Sequence, residues 1–409
     1  MSELAHHVDL ASIRLGGAVI AANDESFGSK EHLLDPLPPK SYADHIGLRG
    51  ELYDGWETRR SRNPGNDWVI VRLGAPGIVR EVLIDTSFFK GNCPKAISIQ
   101  ACGAEGYLPP EELVTRDDLE WTTLVTETPV ERDSENRFLV ANEHRFTHVR
   151  LNIHPDGGVA RLRVLGDVVP DPRRFAGVSL DLAAQANGGV VLGCSDQFFG
   201  NPFNINAPTP MLRHEKGWES TRRRGPGHDW IELRLGGRGV VRHVEYDTTY
   251  YRGNAPESFR VLGCDAEERD LADPRAWYEL LPRTSGLHDA AHWFSVPEPR
   301  PTTHVRLEIY PDGGVSRLKL IGELDALGRE ATTIRWLDSL PRANAIAALT
   351  SLSATTETAV ELADSRKFDT AENVCAALEA LPSGSSGQVA EALAVLLGRQ
   401  SRCGLLPSG

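Results

Sequence analysis

The chain has 409 residues, 40% hydrophobic and 25% charged, with a formal net charge of −13. That length fits two or three domains of ordinary size, and the composition is that of a globular protein rather than a disordered or fibrous one. The acidic balance argues against a nucleic-acid partner, and no apolar run nears the roughly 18 to 20 residues that cross a bilayer, so neither nucleic acid nor membrane is expected as a partner. The opening MSELAHHVDLASIRLGG lacks a basic-then-apolar layout, and the six cysteines are scattered without a Cys-x-x-Cys, so a reducing, cytoplasmic setting is the expectation.

From Asp9 the chain reads DLASIRLGGAVIAANDESFG, and from Asp181 it reads DLAAQANGGVVLGCSDQFFG. In each, Gly-Gly and a short β-branched run predict a first strand leading into a polar loop. A Pro-rich connection follows, longer in the first copy, where LLDPLPPKSYADHIG is connecting chain because proline fixes φ and withholds a donor. Next comes GWETRRSRNPGNDW (Gly55 to Trp68), repeated as GWESTRRRGPGHDW (Gly217 to Trp230). Agreement at that many polar and aromatic positions implies duplication of one unit, since shared hydrophobic periodicity would not produce it. The Pro-Gly in each is a turn signal.

Alternating runs follow, WVIVRLGAPGIVREVLIDTS against WIELRLGGRGVVRHVEYDTT, and two such runs around a Gly-containing turn predict a hairpin. KAISIQACG and ESFRVLGCD predict a further strand, and Cys102 and Cys264 match there as buried thiols. A length difference between Pro94 and Trp121 belongs to a surface loop. Late strands centred on HVRLNI and RLRVLG are separated by Pro-Asp-Gly-Gly, which predicts a β-turn in both copies. Frequent short strands with Gly and Pro turns predict an antiparallel sandwich, here an eight-stranded jelly roll, twice. The expected domains are residues 1–172, 173–325 and a helical extension 326–409, the fold being mainly β with a small C-terminal α-helical appendage. In that extension AIAALTSL, TAVELADS, NVCAALEAL and VAEALAVLL have helical spacing, predicting three or four packed helices, with Asp338-Ser339 ahead of the first and the Ser-Gly run 383–387 dividing the last two.

The duplicated signature, together with D-T-x-x-[FY]-[KR]-G-N-x-P and H-x-R-L-x-I-x-P-D-G-G, resembles the allantoicase family over nearly all of Asp9 to Gly322. The resemblance implies two tandem galactose-binding-like jelly rolls, an oligomeric enzyme, and hydrolysis of allantoate to ureidoglycolate and urea in allantoin and purine catabolism. In the extension, WLDSLPRANAIAALTSL resembles the first helix of ureidoimidazoline decarboxylases. No histidine follows His304, so decarboxylase activity is not expected there.

Allantoate carries one carboxylate and two ureido arms on one carbon, so a site for it needs a cation and several fixed donors and acceptors. Guanidinium forks match a carboxylate, which makes Arg60, Arg62, Arg222 and Arg224 binding candidates, with pairing to Asp67 and Asp229 as the structural alternative. Expelling urea needs a proton for the leaving nitrogen and a base for water. Glu57 and Glu219, in Gly-bounded loops, are candidates for that work or for a bridge to neighbouring arginines. Asp85 and Asp247, ahead of Lys90-Gly91-Asn92 and Arg252-Gly253-Asn254, stand at strand ends where sites are mounted, or tie their own turns. Lys90, Asn92, Arg252 and Asn254 are counted with the substrate-binding set, as are Trp56 and Trp218 if they line a pocket wall rather than the core. His148 and His304 match as buried histidines, whereas His228 faces Asn66 and His154 faces Tyr310, so His228 is a catalytic candidate if only one copy works. No cofactor is required by any motif, and a divalent metal on residues from distant strands is left open. A nucleotide loop and a serine nucleophile elbow are absent. The competing function is a non-catalytic tandem carbohydrate-binding module, since jelly rolls host many functions.

Overall fold

The computed structural model describes residues 7–42, 45–47, 50–106, 108–175, 177–209, 217–382 and 387–399. Cys403 and the Ser-Gly run 383–386 lie outside them. Residues 7–169 with 339–345 form one compact unit, and 170–338 with 346–399 form another.

The first unit is built on one strand, Asp67–Asp85, of 19 residues. Its first half pairs with Arg145–His154 and Ala18–Ala22, and its second half with Arg161–Val168 and Glu135–Leu139. The sheet continues through Ala96–Cys102 to Thr122–Pro129. One bent strand thus serves both layers of the sandwich, where the sequence had predicted a hairpin. The segment Gly74-Ala75-Pro76-Gly77 makes a corner instead of a reversal because it must press against neighbouring chain. A Cβ at Gly77 would lie 2.2 Å from the Asp167 carbonyl oxygen, and one at Gly74 would lie 2.6 Å from the Gly17 nitrogen. Side chains alternate across the pleat, so Val149, Leu151 and Ile153 are buried in the core and His148, Arg150, Asn152 and His154 form the opposite face.

The second unit repeats this pattern on Asp229–Asp247, also 19 residues, flanked by Pro301–Tyr310, Val190–Cys194, Arg317–Leu324 and Ala291–Ser295. Its core holds Leu182, Trp218, Ile231, Leu233, Tyr246, Phe259 and Leu307. The length difference noted in sequence is a loop feature: the first copy carries a short helix, Pro110–Thr115, where the second has a single turn at Pro274–Ala276.

The extension forms five helices among the described residues, Ala326–Ser339, Arg342–Ser351, Thr356–Asp364, Ala371–Glu379 and Gly387–Leu396, rather than three or four. WLDSLPRANAIAALTSL is split between the first two, because Pro341 lacks an amide donor and a helix ends ahead of it. Asp338 therefore closes a helix instead of preceding one, and its carboxylate accepts the amides of Lys367 and Phe368 at 3.1 and 3.0 Å. The first helix packs on the second sandwich so closely that a Cβ at Gly328 would lie 1.8 Å from the Arg238 carbonyl oxygen. No helix among the described residues is long and apolar enough to cross a membrane.

Candidate active site

At one end of the first sandwich, segments remote in sequence close around Glu57. The two-residue strand Trp56–Glu57 pairs with Gly158–Val159. The Glu57 carbonyl accepts the Gly28 amide at 3.1 Å, and the Gly158 amide donates to the Asn92 carbonyl at 2.8 Å. Glycine is what lets these loops meet. A Cβ at Gly158 would sit 2.0 Å from the Phe89 ring, and one at Gly157, whose φ is +140°, would sit 2.6 Å from the Asn92 carbonyl oxygen. The three motifs Trp-Glu, Lys-Gly-Asn and Asp-Gly-Gly are therefore parts of one construction.

The Glu57 carboxylate is 9% exposed and accepts from Asn92 Nδ2 at 2.6 Å. Burial pushes its pKa up from the ordinary carboxylate value; the Asn92 donor opposes this in part, and the charge of Glu51 adds to it. The second copy repeats the bond, Asn254 Nδ2 donating to Glu219 Oε1 at 2.7 Å, with Glu219 less enclosed. There Tyr251 stands in place of Phe89, and its hydroxyl accepts the Gly217 amide at 3.0 Å. Burial, helped by the Glu219 charge, raises the Tyr251 pKa.

The other candidates separate into distinct groups. Trp56 and Trp218 are fully buried, their indole nitrogens donating to the Asp24 and Asp196 carbonyls at 2.8 and 2.7 Å. They hold the loop from beneath and offer a substrate no surface, which corrects their placement on a pocket wall. Arg60, Arg62, Arg222 and Arg224 are exposed, and none has a hydrogen bond or ion pair among the described residues. The alternative pairing with Asp67 and Asp229 is not theirs: Arg223 takes Asp229, and Arg59 lies 3.2 Å from Asp24.

Asp85 accepts the Ser87 amide at 2.8 Å, and Asp247 accepts the Thr249 amide at 2.8 Å and its hydroxyl at 2.5 Å. Each carboxylate thus closes its own turn, and no bond ties it to Glu57 or Glu219. Lys90 reaches Asp133 at 3.6 Å, and Arg252 reaches Asp289 at 2.9 Å, both with exposed side chains. Asp156 does more than make a turn. Its carboxylate accepts the Ser61 amide at 2.8 Å, and Asp312 does the same for Arg223, so each fixes the loop that carries the arginines.

His228 belongs to a different cluster. Its Nε2 lies 3.6 Å from Glu308 Oε1, and Glu308 also accepts from Arg260 at 2.9 and 2.6 Å and from the Tyr310 hydroxyl at 2.5 Å. This network covers the outward face of Pro301–Tyr310 and was not found from sequence. Its sequence signal was the exchange of Asn66, Ser98, Asn152 and His154 for His228, Arg260, Glu308 and Tyr310 between copies. His148 and His304 bond to their neighbouring threonine hydroxyls at 2.8 and 2.9 Å, and burial takes both down to about 4, so they are neutral near pH 7. Burial pushes the Cys102 thiol up to about 12. Among the described residues no group of three or more His, Cys, Asp or Glu is placed to hold a metal ion.

Two copies of one sandwich, each closing glycine-rich loops around a carboxylate held by an asparagine, define a duplicated jelly-roll protein with a polar site at the rim. The chain belongs to the allantoicase family: the family model described as Allantoicase repeat matches residues 8–169 and 180–325. It is 46% identical over 318 residues to a probable allantoicase of Nocardia farcinica, covering 77% of this chain and 94% of that one. A probable allantoicase of Streptomyces coelicolor is 44% identical over 329 residues, covering 78% and 86%. The crystal structure of allantoicase from Saccharomyces cerevisiae superposes with a TM-score of 0.67 at 34% identity, over 77% of this chain and 93% of that one.

Proposed function

We propose that this chain hydrolyses allantoate to ureidoglycolate and urea, and that Glu57 is the group that moves the proton. One observation carries the assignment within the family: a buried carboxylate with a raised pKa, oriented by an amide, at the point where the shared motifs converge. In its protonated form Glu57 donates to the leaving ureido nitrogen as the carbon–nitrogen bond breaks and urea departs. The carboxylate then takes a proton from water as the water oxygen bonds to that carbon, which returns Glu57 to its starting state and gives ureidoglycolate. Asn92 positions the carboxylate without touching the reacting atoms. The exposed guanidinium groups of Arg60 and Arg62, on the loop that leaves Glu57, suit the substrate carboxylate. Glu219 with Asn254 forms the corresponding, more open arrangement in the second copy. A cytoplasmic homo-oligomer is part of the same proposal, since matched halves suit a symmetric assembly.

Urea release from allantoate by the purified full chain, measured with and without a chelator, tests this reading. Release in proportion to protein added is expected. Folded protein that releases no urea above the blank in either arm refutes it.

A further inference from the structure

The two sandwiches end one of their layers on matched strands of opposite character. In the second, Ala291–Ser295 pairs on one side with the long strand Asp229–Asp247 and, among the described residues, with no strand on its other side. The Val296 amide donates to the Arg242 carbonyl at 2.8 Å, and the Thr248 amide to the Ala290 carbonyl at 2.9 Å. Bonded and non-bonded residues alternate along an antiparallel ladder, so the amides and carbonyls of Ala291, Trp293 and Ser295 point out from the sheet edge. Such an edge is a template for another strand unless something blunts it.

The other terminal strands of this sandwich are blunted. Val190–Cys194 is bulged and has no exposed residue, Tyr278–Ser285 carries Glu279, Pro282 and Arg283, and Leu180–Asp181 is only two residues long. Ala291–Ser295 has no proline and no acidic, lysine or arginine residue. Its His292 is engaged at both ring nitrogens, by the Leu287 amide at 2.8 Å and the Tyr246 carbonyl at 3.0 Å. Trp293 is 62% exposed and Leu287 is 70% exposed, which sets apolar surface beside the open edge.

In the first sandwich the matched strand is Glu135–Leu139, and Arg137 stands where the second has Trp293, reaching Glu81 at 2.9 Å and Glu135 at 3.3 Å. Pairing that strand with its own copy about a two-fold axis would set Arg137 against Arg137, and like charges directly opposite one another oppose the contact. The same operation on Ala291–Ser295 sets Trp293 against Trp293 and Ala291 against Ser295, with no charge opposed and roughly six backbone hydrogen bonds gained. Behind Trp293, Glu245 is already neutralised by Lys319 at 3.0 Å.

We propose that two copies of this chain join through Ala291–Ser295, antiparallel about a two-fold axis at Trp293, so that one layer of the second sandwich runs on into that of the partner copy. The contact is isologous, the kind that closes a symmetric assembly, and it rests on the homo-oligomer reading above by naming the strand that makes it.

The test is the mass of the full chain in sedimentation across a range of concentration, with circular dichroism confirming the fold. Wild type should be an even-numbered oligomer, Trp293→Phe should match it, and Trp293→Arg, which installs the first copy's residue, should halve the mass. Trp293→Cys supplies a second readout: residues paired at the axis have Cα atoms about 5.5 Å apart, inside the disulfide range, so mild oxidation should give a covalent dimer that oxidised wild type does not form. A folded Trp293→Arg at wild-type mass, or a Trp293→Cys that yields no covalent dimer, would overturn this interface while leaving the oligomer reading standing. A wild type that stays monomeric, with its edge strand free for some other protein, would remove both, and urea release would still decide the hydrolase reading separately.

Discussion

Replacing Glu57 by Gln isolates proton transfer from architecture. Glutamine keeps an Oε1 that can accept from Asn92 Nδ2 at the present 2.6 Å, and it keeps the shape, but it can neither donate nor take the catalytic proton. General acid–base groups contribute about 10²- to 10⁴-fold, so kcat should fall by that factor, or roughly 3 to 5 kcal/mol of barrier at about 1.4 kcal/mol per decade. Stability should move the other way. Because burial raises the folded-state pKa of Glu57, its ionised form is penalised on folding, and the penalty grows as pH rises through that value. At neutral pH the neutral amide escapes it, so the melting temperature of Glu57→Gln should match or exceed the wild type. Glu219→Gln, at the more open rim, should cost less turnover. The assay is urea release under saturating allantoate, with thermal melts on the same samples. Wild-type turnover in Glu57→Gln refutes the role of the side chain, and lost turnover together with a lowered melting temperature shows that the residue is only structural.

Two further substitutions probe the frame that holds the site. Asp181 Oδ1 accepts the Ala183 and Leu320 amides at 3.0 and 2.9 Å, and burial raises this group from 3.8 to about 6. A raised acid holds its proton more tightly when folded, so wild-type stability should decline between those two pH values by at most about 3 kcal/mol, at about 1.4 kcal/mol per unit. Asp181→Asn retains the acceptor and should remove that decline in denaturant titrations at stepped pH; parallel wild-type and variant curves would contradict the account. In Gly158→Ala the new methyl would meet the Phe89 ring at 2.0 Å, so a loss of about 1 to 3 kcal/mol and a fall in urea release are expected as Glu57 and Asn92 are pushed apart. An unchanged denaturation midpoint would show that the loops have room to spare.

Much of the architecture was legible in the residues because it depends on local chemistry repeated twice. Alternating apolar positions set the strand faces, and the shared Trp-Glu, Gly-Asn and Asp-Gly-Gly marked the same three loops in both copies. What alternation could not tell was whether Gly74 to Gly77 reverses the chain or bends it. That depends on the Asp167 and Gly17 backbones, far along the sequence, standing close enough to exclude a side chain. The same limit applied to the arginines. Three of the four candidates adjoin Arg59 or Arg223, and which guanidinium reaches a carboxylate is set by the curl of the loop, which Asp156 and Asp312 fix from another strand.

The sequence by itself determined that one unit occurs twice, which family that unit belongs to, and that glutamate, asparagine and glycine recur at matched places, because duplication preserves residue identity. Only the tertiary structure decided that Asn92 meets Glu57, that Asp85 is occupied by its own turn, and that Ala291–Ser295 ends a sheet where Arg137 in the other copy meets two carboxylates. The physical reason is range. Propensity and pattern act within a few residues, whereas the environment that shifts a pKa or leaves a charge unpaired is made by strands whose register brings together side chains remote in the chain.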